Sequence, residues 1–171
     1  AMGIPYPGGV ELDKIAEGGN DRAYRLPHPR VEGAPLDFSF SGLKTAVINL
    51  LHNASQKGEE VSVPDLCASY RRAVVNCLTE NFQKAAEMTG ETKLVIAGGV
   101  SANRLLRREL LSLCEKTGKK LYMPELSLCG DNAAMIASQG YYEFLAGNTA
   151  GMDLNAAAQC DIAGRSHGRK L

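Results

Sequence analysis

Apolar positions in this chain recur at spacings that mark out its elements. "PYPGGVELDKIAEGG" opens as a proline and glycine turn, continues as a short helix from Gly9 to about Ala16 and stops at Gly18 and Gly19. "RLPHPRVEGAP" then reads as a proline-rich loop. In "LDFSF", Leu36, Phe38 and Phe40 alternate with polar neighbours, the period of a half-buried strand. From Leu43 to about Ser55 the residues Leu43, Ala46, Val47, Leu50, Leu51 and Ala54 fall at helical spacing. A longer helix follows. Ser62 and Asp65 form a capping-box-like pair with Pro64 in the first turn, and Leu66, Tyr70, Ala73, Val74, Cys77, Leu78, Phe82 and Ala85 trace one core face as far as Gly90.

Beyond Gly90, "KLVIA" is an unbroken apolar run, which predicts a parallel strand buried on both faces. A helix from about Ser101 to Lys116 sets Leu106, Leu110 and Leu113 on one face and Arg104, Arg107 and Arg108 on the other, and "KKLYM" returns as a strand. Residues 93 to 123 thus have the length of a βαβ unit. The last helix is expected from about Asp131 to Ala146, and the tail from "GRSHGRKL" onward is expected to be disordered. The domain expectation is one folded unit over residues 1–160 and a disordered tail over 161–171.

Composition narrows the classes of function. The chain has 171 residues, 44% of them hydrophobic, enough for one real core. Nineteen Lys plus Arg balance nineteen Asp plus Glu, so no overall field draws the chain to nucleic acid, and any such contact is local. No apolar run approaches the roughly 20 residues that span a bilayer, and the first residues lack the pattern of a signal peptide. The expectation is a soluble cytosolic protein. Cysteines 67, 77, 114, 129 and 160 form no CxxC, and most sit in apolar helical stretches, which predicts reduced thiols.

Candidate chemistry gathers at two places. In "LVIAGGVSANRLLRRE" the glycines lie at the carboxyl end of a strand, where ligands collect in open α/β sheets and where a missing Cβ lets a ligand reach the backbone. Ser101 is placed to cap the following helix, whose N–H groups favour an anion or a sugar edge, and the Asn103 amide suits ribose hydroxyls or a purine edge. The spacing is neither GxGxxG nor GxxxxGK[ST]. A plain tight turn explains two glycines equally well, so both readings of Gly98 and Gly99 stand. In "CGDNAAMIA", Asp131 reads either as a helix cap or as a carboxylate ligand for a metal. His28, His52 and His167 form no pair at helical spacing, so any metal needs ligands from elsewhere. Lys44 and the face of Arg104, Arg107 and Arg108 read as phosphate contacts or as a solvated face.

Taken together, "PYPGG", "DFSFSGLKTAV", "AGGVSANRLLR" and "CGDNAAMIA" resemble, in order, the carboxyl-terminal half of the bacterial-type tRNA threonylcarbamoyladenosine transferases, the TsaD or Gcp family once labelled O-sialoglycoprotein endopeptidase. The resemblance covers all but about the last ten residues. It implies an α/β fold, the second lobe of an actin-like ATPase (ASKHA) architecture with a mixed sheet flanked by helices. It also implies transfer of a threonylcarbamoyl group from threonylcarbamoyl-adenylate to the adenosine next to the tRNA anticodon. Gly9, Asp13 and Asn103 fall on the family's adenylate contacts, with Gly98 and Gly99 as the floor of that site. Asp131 falls on a ligand of one divalent metal, iron or zinc, whose HxxxH pair this sequence lacks. The full-length enzyme is expected to work with TsaB- and TsaE-like partner proteins in the cytoplasm, and this chain alone to hold no metal and catalyse nothing. Two other classes compete: a binding or assembly module that dimerises through a bare apolar cleft wall, and the metallopeptidase of the old label. The peptidase lacks support, since HExxH and GxSxG are both missing.

Overall fold

The computed structural model of the chain describes residues 2–155. It divides into two compact units, Ala1–Cys129 and Gly130–Leu171. In the first, helices α1 (Gly8–Ala16), α2 (Ser41–Lys57) and α3 (Val63–Thr89) precede strand β1 (Lys93–Val95). A 3₁₀ turn at Gly99–Ala102, helix α4 (Arg104–Thr117), strand β2 (Lys120–Tyr122) and a 3₁₀ turn at Leu126–Leu128 complete it. The second unit contains helix α5 (Ala133–Leu145). No helix among the described residues is long and apolar enough to cross a membrane.

Helix α3 is the spine of the first unit. Its start is fixed by the Ser62 hydroxyl, which accepts from the Asp65 amide, and Gly90 in the left-handed region ends it. At 27 residues it extends roughly 40 Å. The amino-terminal part packs Cys67 and Ala68 against Ala16, Leu12 and Ile15 of α1. Further along, Val75, Leu78 and Phe82 pack with Leu105, Leu106 and Leu110 of α4. Ala86 meets Leu94 of β1 and Cys114 of α4. The expected single core face is therefore too narrow, because α3 has partners on more than one side and buries Ser69 and Asn81 as well.

β1, α4 and β2 form the expected βαβ unit, with parallel pairing of Lys93 with Lys120, Leu94 with Leu121 and Val95 with Tyr122. Burial of β1 on both faces is not observed: Leu94 is buried but Val95 is 65% exposed. α3 and α4 cover one face, and the described sheet has these two strands alone, parallel rather than mixed. "LDFSF" is not a strand either. Among the described residues Leu36 to Phe40 have no ladder partner, and the rings of Phe38 and Phe40 stack at 5.9 Å. Cys67, Cys77, Cys114 and Cys129 are free and buried; burial pushes the first three thiols up. Cys160 and the tail from residue 156 lie outside the described residues.

One glycine fixes how α1 meets α3. A Cβ on Gly19 would overlap the carbonyl group of Pro64 and crowd the Asp65 amide. Close approach of the two backbones lets Asn20 N–H donate to Asp65 Oδ1 at 2.8 Å. Gly19→Ala is expected to cost about 1–3 kcal/mol, as overpacking does, read as a lower urea midpoint at unchanged slope. A loss below about 0.5 kcal/mol would show that the junction yields.

Candidate functional site

Asp13 and Asn103 stand ninety residues apart in sequence, and the fold joins them: Asn103 Nδ2 donates to Asp13 Oδ1 at 2.9 Å. Asp13 lies near the end of α1, one turn after Gly9 on the same helix face. Asn103 is the residue at which α4 begins. Its Oδ1 accepts from the Leu106 amide at 2.9 Å, so one side of the amide caps α4 and the other holds α1.

The cap is therefore Asn103 and not Ser101. After β1 the backbone turns at Gly98, whose φ of 83° and ψ of 173° put it in a region all but reserved for glycine. The 3₁₀ turn Gly99–Ala102 then delays the start of α4. Ser101 is buried within that turn, and its Oγ donates to the Gly98 carbonyl at 2.6 Å. Arg107, on the face read as phosphate-contacting or solvated, is drawn into the same joint. Its Nε donates to Ser101 O at 2.6 Å and its Nη2 to Pro124 O at 2.5 Å and Cys129 Sγ at 3.3 Å. Arg104 and Arg108 do remain exposed.

The joint itself is open. Among the described residues, a Cβ on Gly9, Gly98 or Gly99 would meet no atom within 4 Å. Conformation requires glycine at Gly98, but neither conformation nor packing among the described residues requires it at Gly9 or Gly99, and their bare backbone is left accessible there.

Sequence reasoning missed Arg71. This α3 side chain, 10% exposed, reaches α1 with Nη1 at 3.0 Å from Asp13 Oδ1 and 2.8 Å from Glu17 Oε1. It also donates to the main-chain oxygens of Asp13 and Ala16. Burial opposes its charge, but the hydrogen bonds it donates to Glu17 and Asp13, with the charges of those carboxylates, outweigh that and raise its pKa. In turn, the Arg71 hydrogen bond and charge hold the Glu17 carboxyl below its usual range, with smaller contributions from Arg104 and Arg108. The available signal was a pair of arginines inside an otherwise apolar helical stretch. The next residue, Arg72, pairs with Asp21 at 2.7 Å and Glu109 at 2.8 Å and ties the loop after α1 to α4.

In the second unit the Asn132 side chain caps α5 by accepting from the Met135 amide at 3.0 Å. Asp131 is not that cap. Its carboxylate is exposed and has no hydrogen-bond or ion-pair partner among the described residues. Such an oxygen pair fits one position around a hard cation. The described residues contain no group of three or more His, Cys, Asp or Glu placed to hold a metal.

An α/β unit with a βαβ crossover, an open glycine joint after its first strand and an acid–amide pair beside that joint has the layout of a ligand-binding α/β domain. Part of its fold is shared with full-length HypF in a phosphate- and nucleotide-bound form, at TM-score 0.51 and 19% identity over 72% of this chain and 15% of HypF. The chain belongs to the TsaD family, tRNA N6-adenosine threonylcarbamoyltransferase, whose family model matches residues 1–138. It is 41% identical over 165 residues to the tRNA N6-adenosine threonylcarbamoyltransferase of Clostridium botulinum (strain Kyoto / Type A2), covering 96% of this chain and 48% of that protein. To the protein of the same name from Clostridium perfringens (strain ATCC 13124) it is 47% identical over 156 residues, covering 91% of this chain and 46% of the relative. The chain spans about half the length of the curated relatives it matches.

Proposed function

We propose that this chain is the second lobe of a two-lobed, actin-like tRNA threonylcarbamoyltransferase and supplies one wall of its adenylate site. In the reaction the exocyclic amine of the adenosine next to the tRNA anticodon forms a C–N bond to the carbamoyl carbon. The bond from that carbon to the adenylate phosphate breaks, AMP leaves, and the amine gives up a proton. The chain's own groups orient the adenylate. Bare backbone at Gly9, Gly98 and Gly99 forms a floor on which the nucleoside lies, and Asp13 and Asn103 present an acceptor and an amide to its polar edge.

The contact from Asn103 to Asp13 carries this reading, because it assembles two residues of distant segments beside the open joint. Asp131 contributes one ligand to a divalent metal whose other donors come from the first lobe. When bound, such an ion polarises carbonyl and phosphate oxygens as a Lewis acid. Exposed Arg104 and Arg108, one turn apart beside Asn103, are the α4 cations open to tRNA phosphates, whereas Arg107 is engaged within the protein. The active form is the full-length protein with TsaB- and TsaE-like partners in the cytoplasm. Threonylcarbamoyl transfer to tRNA, measured in parallel for this chain alone and for the full-length protein, tests the reading. Turnover by the full-length protein and none by this chain is expected, and robust turnover by the chain alone would refute the two-lobe requirement.

A further inference from the structure

We infer that Arg71 is the positioning residue of the adenylate site, setting the Asp13 carboxylate for the ligand rather than touching the ligand itself. The inference rests on the adenylate reading of Asp13 and Asn103. Asp13 Oδ1 accepts from both Arg71 Nη1 at 3.0 Å and Asn103 Nδ2 at 2.9 Å. Two donors from two helices fix the rotation of that carboxylate. Among the described residues Oδ2 has no partner, so the carboxylate keeps one acceptor for a hydroxyl or amine of the ligand.

The guanidinium gives up bonding of its own to reach this arrangement. Among the described residues Arg71 Nε is buried without a hydrogen-bond partner, while Nη1 is shared among Asp13 Oδ1, the Asp13 carbonyl and Glu17. A side chain placed for stability alone would satisfy its buried donors first, since an unpaired one costs free energy. Its neighbour supplies the comparison. Arg72 is also a part-buried arginine of α3 bridging two carboxylates, but Asp21 and Glu109 lie outside the proposed site. Both arginines tie α3 to neighbouring segments, and Arg71 alone of the two bonds a site residue.

Calorimetric titration of AMP into the full-length protein, paired with unfolding midpoints, separates the two roles. Arg71→Gln is expected to raise the AMP dissociation constant about tenfold, the loss of one charge-assisted contact felt through Asp13. Arg72→Gln is expected to lower the midpoint comparably while leaving AMP affinity within about twofold. Should Arg71→Gln fail to fold, Arg71→Lys carries the test. Its single, shorter-reaching ammonium cannot replace a guanidinium that bonds Asp13 and Glu17 through Nη1 and the Ala16 carbonyl through Nη2, and weakening of about threefold or more is expected. Equal weakening by Arg71 and Arg72 variants, or AMP affinity unchanged in the Arg71 variants, overturns the inference. Absence of AMP binding by the unsubstituted protein overturns the adenylate reading beneath it, a distinct result.

Discussion

Asn103→Ala is expected to weaken binding of AMP by the full-length protein about 10- to 100-fold. The side chain has two jobs in the chain and a third in the proposed complex. As the cap of α4 it accepts from the Leu106 amide, and loss of a cap costs about 1 kcal/mol of stability. As donor to Asp13 it holds α1 against α4. Losing that bond, which sets the Asp13 carboxylate, and the proposed direct contact together costs about 1–3 kcal/mol of binding, at 0.5–1.5 kcal/mol for each ordinary hydrogen bond, and every 1.4 kcal/mol is about tenfold. The cap and the site separate experimentally. Asn103→Ser retains an oxygen that caps almost as well as asparagine but lacks the amide that donates to Asp13. Near-native stability with AMP affinity still lost is the expected outcome for serine. A serine variant that binds AMP like the unsubstituted protein would reduce Asn103 to a helix cap.

Local chemistry explains which parts of this architecture the sequence disclosed. Helices α2 and α3 follow from the recurrence of apolar residues and from Ser62, and α3 begins and ends where its cap and glycine predict. The βαβ unit follows from two short apolar runs flanking a helical one. "LDFSF" has the alternation of a strand, but alternation specifies a face and supplies no hydrogen-bonding neighbour, and among the described residues none pairs with it. At the joint both Ser101 and Asn103 are good cap residues. The choice between them depended on a 3₁₀ turn that uses the Ser101 hydroxyl internally, and pattern does not encode that turn. Arg71 was the least visible. Its partners Asp13 and Glu17 lie more than fifty residues away, and only the packing of α1 along α3 brings them within reach. Single-residue chemistry was legible, whereas the contacts that give it direction came from tertiary packing.

Asp131→Ala in the full-length protein is expected to remove bound metal altogether while leaving the fold of the metal-free protein unchanged to within about 0.5 kcal/mol. The argument comes from its neighbour. A carboxylate just before a helix ordinarily caps it, but here the Asn132 side chain occupies that role at 3.0 Å from the Met135 amide. Asp131 is thereby released from the structural duty its position implies, and its exposed oxygens have no partner among the described residues. Asn132→Ala should show the opposite pattern, a stability loss of about 1 kcal/mol with metal retained. Asp131→Asn sharpens the test, since it preserves shape and removes the charge that a hard cation requires of its ligand. Elemental analysis of the purified variants reads the result directly. Metal content unchanged in both Asp131 variants would mean that the carboxylate is neither cap nor ligand, whereas loss in both, beside retention in Asn132→Ala, assigns adjacent residues separate tasks: an amide that starts the helix and a carboxylate kept for the ion.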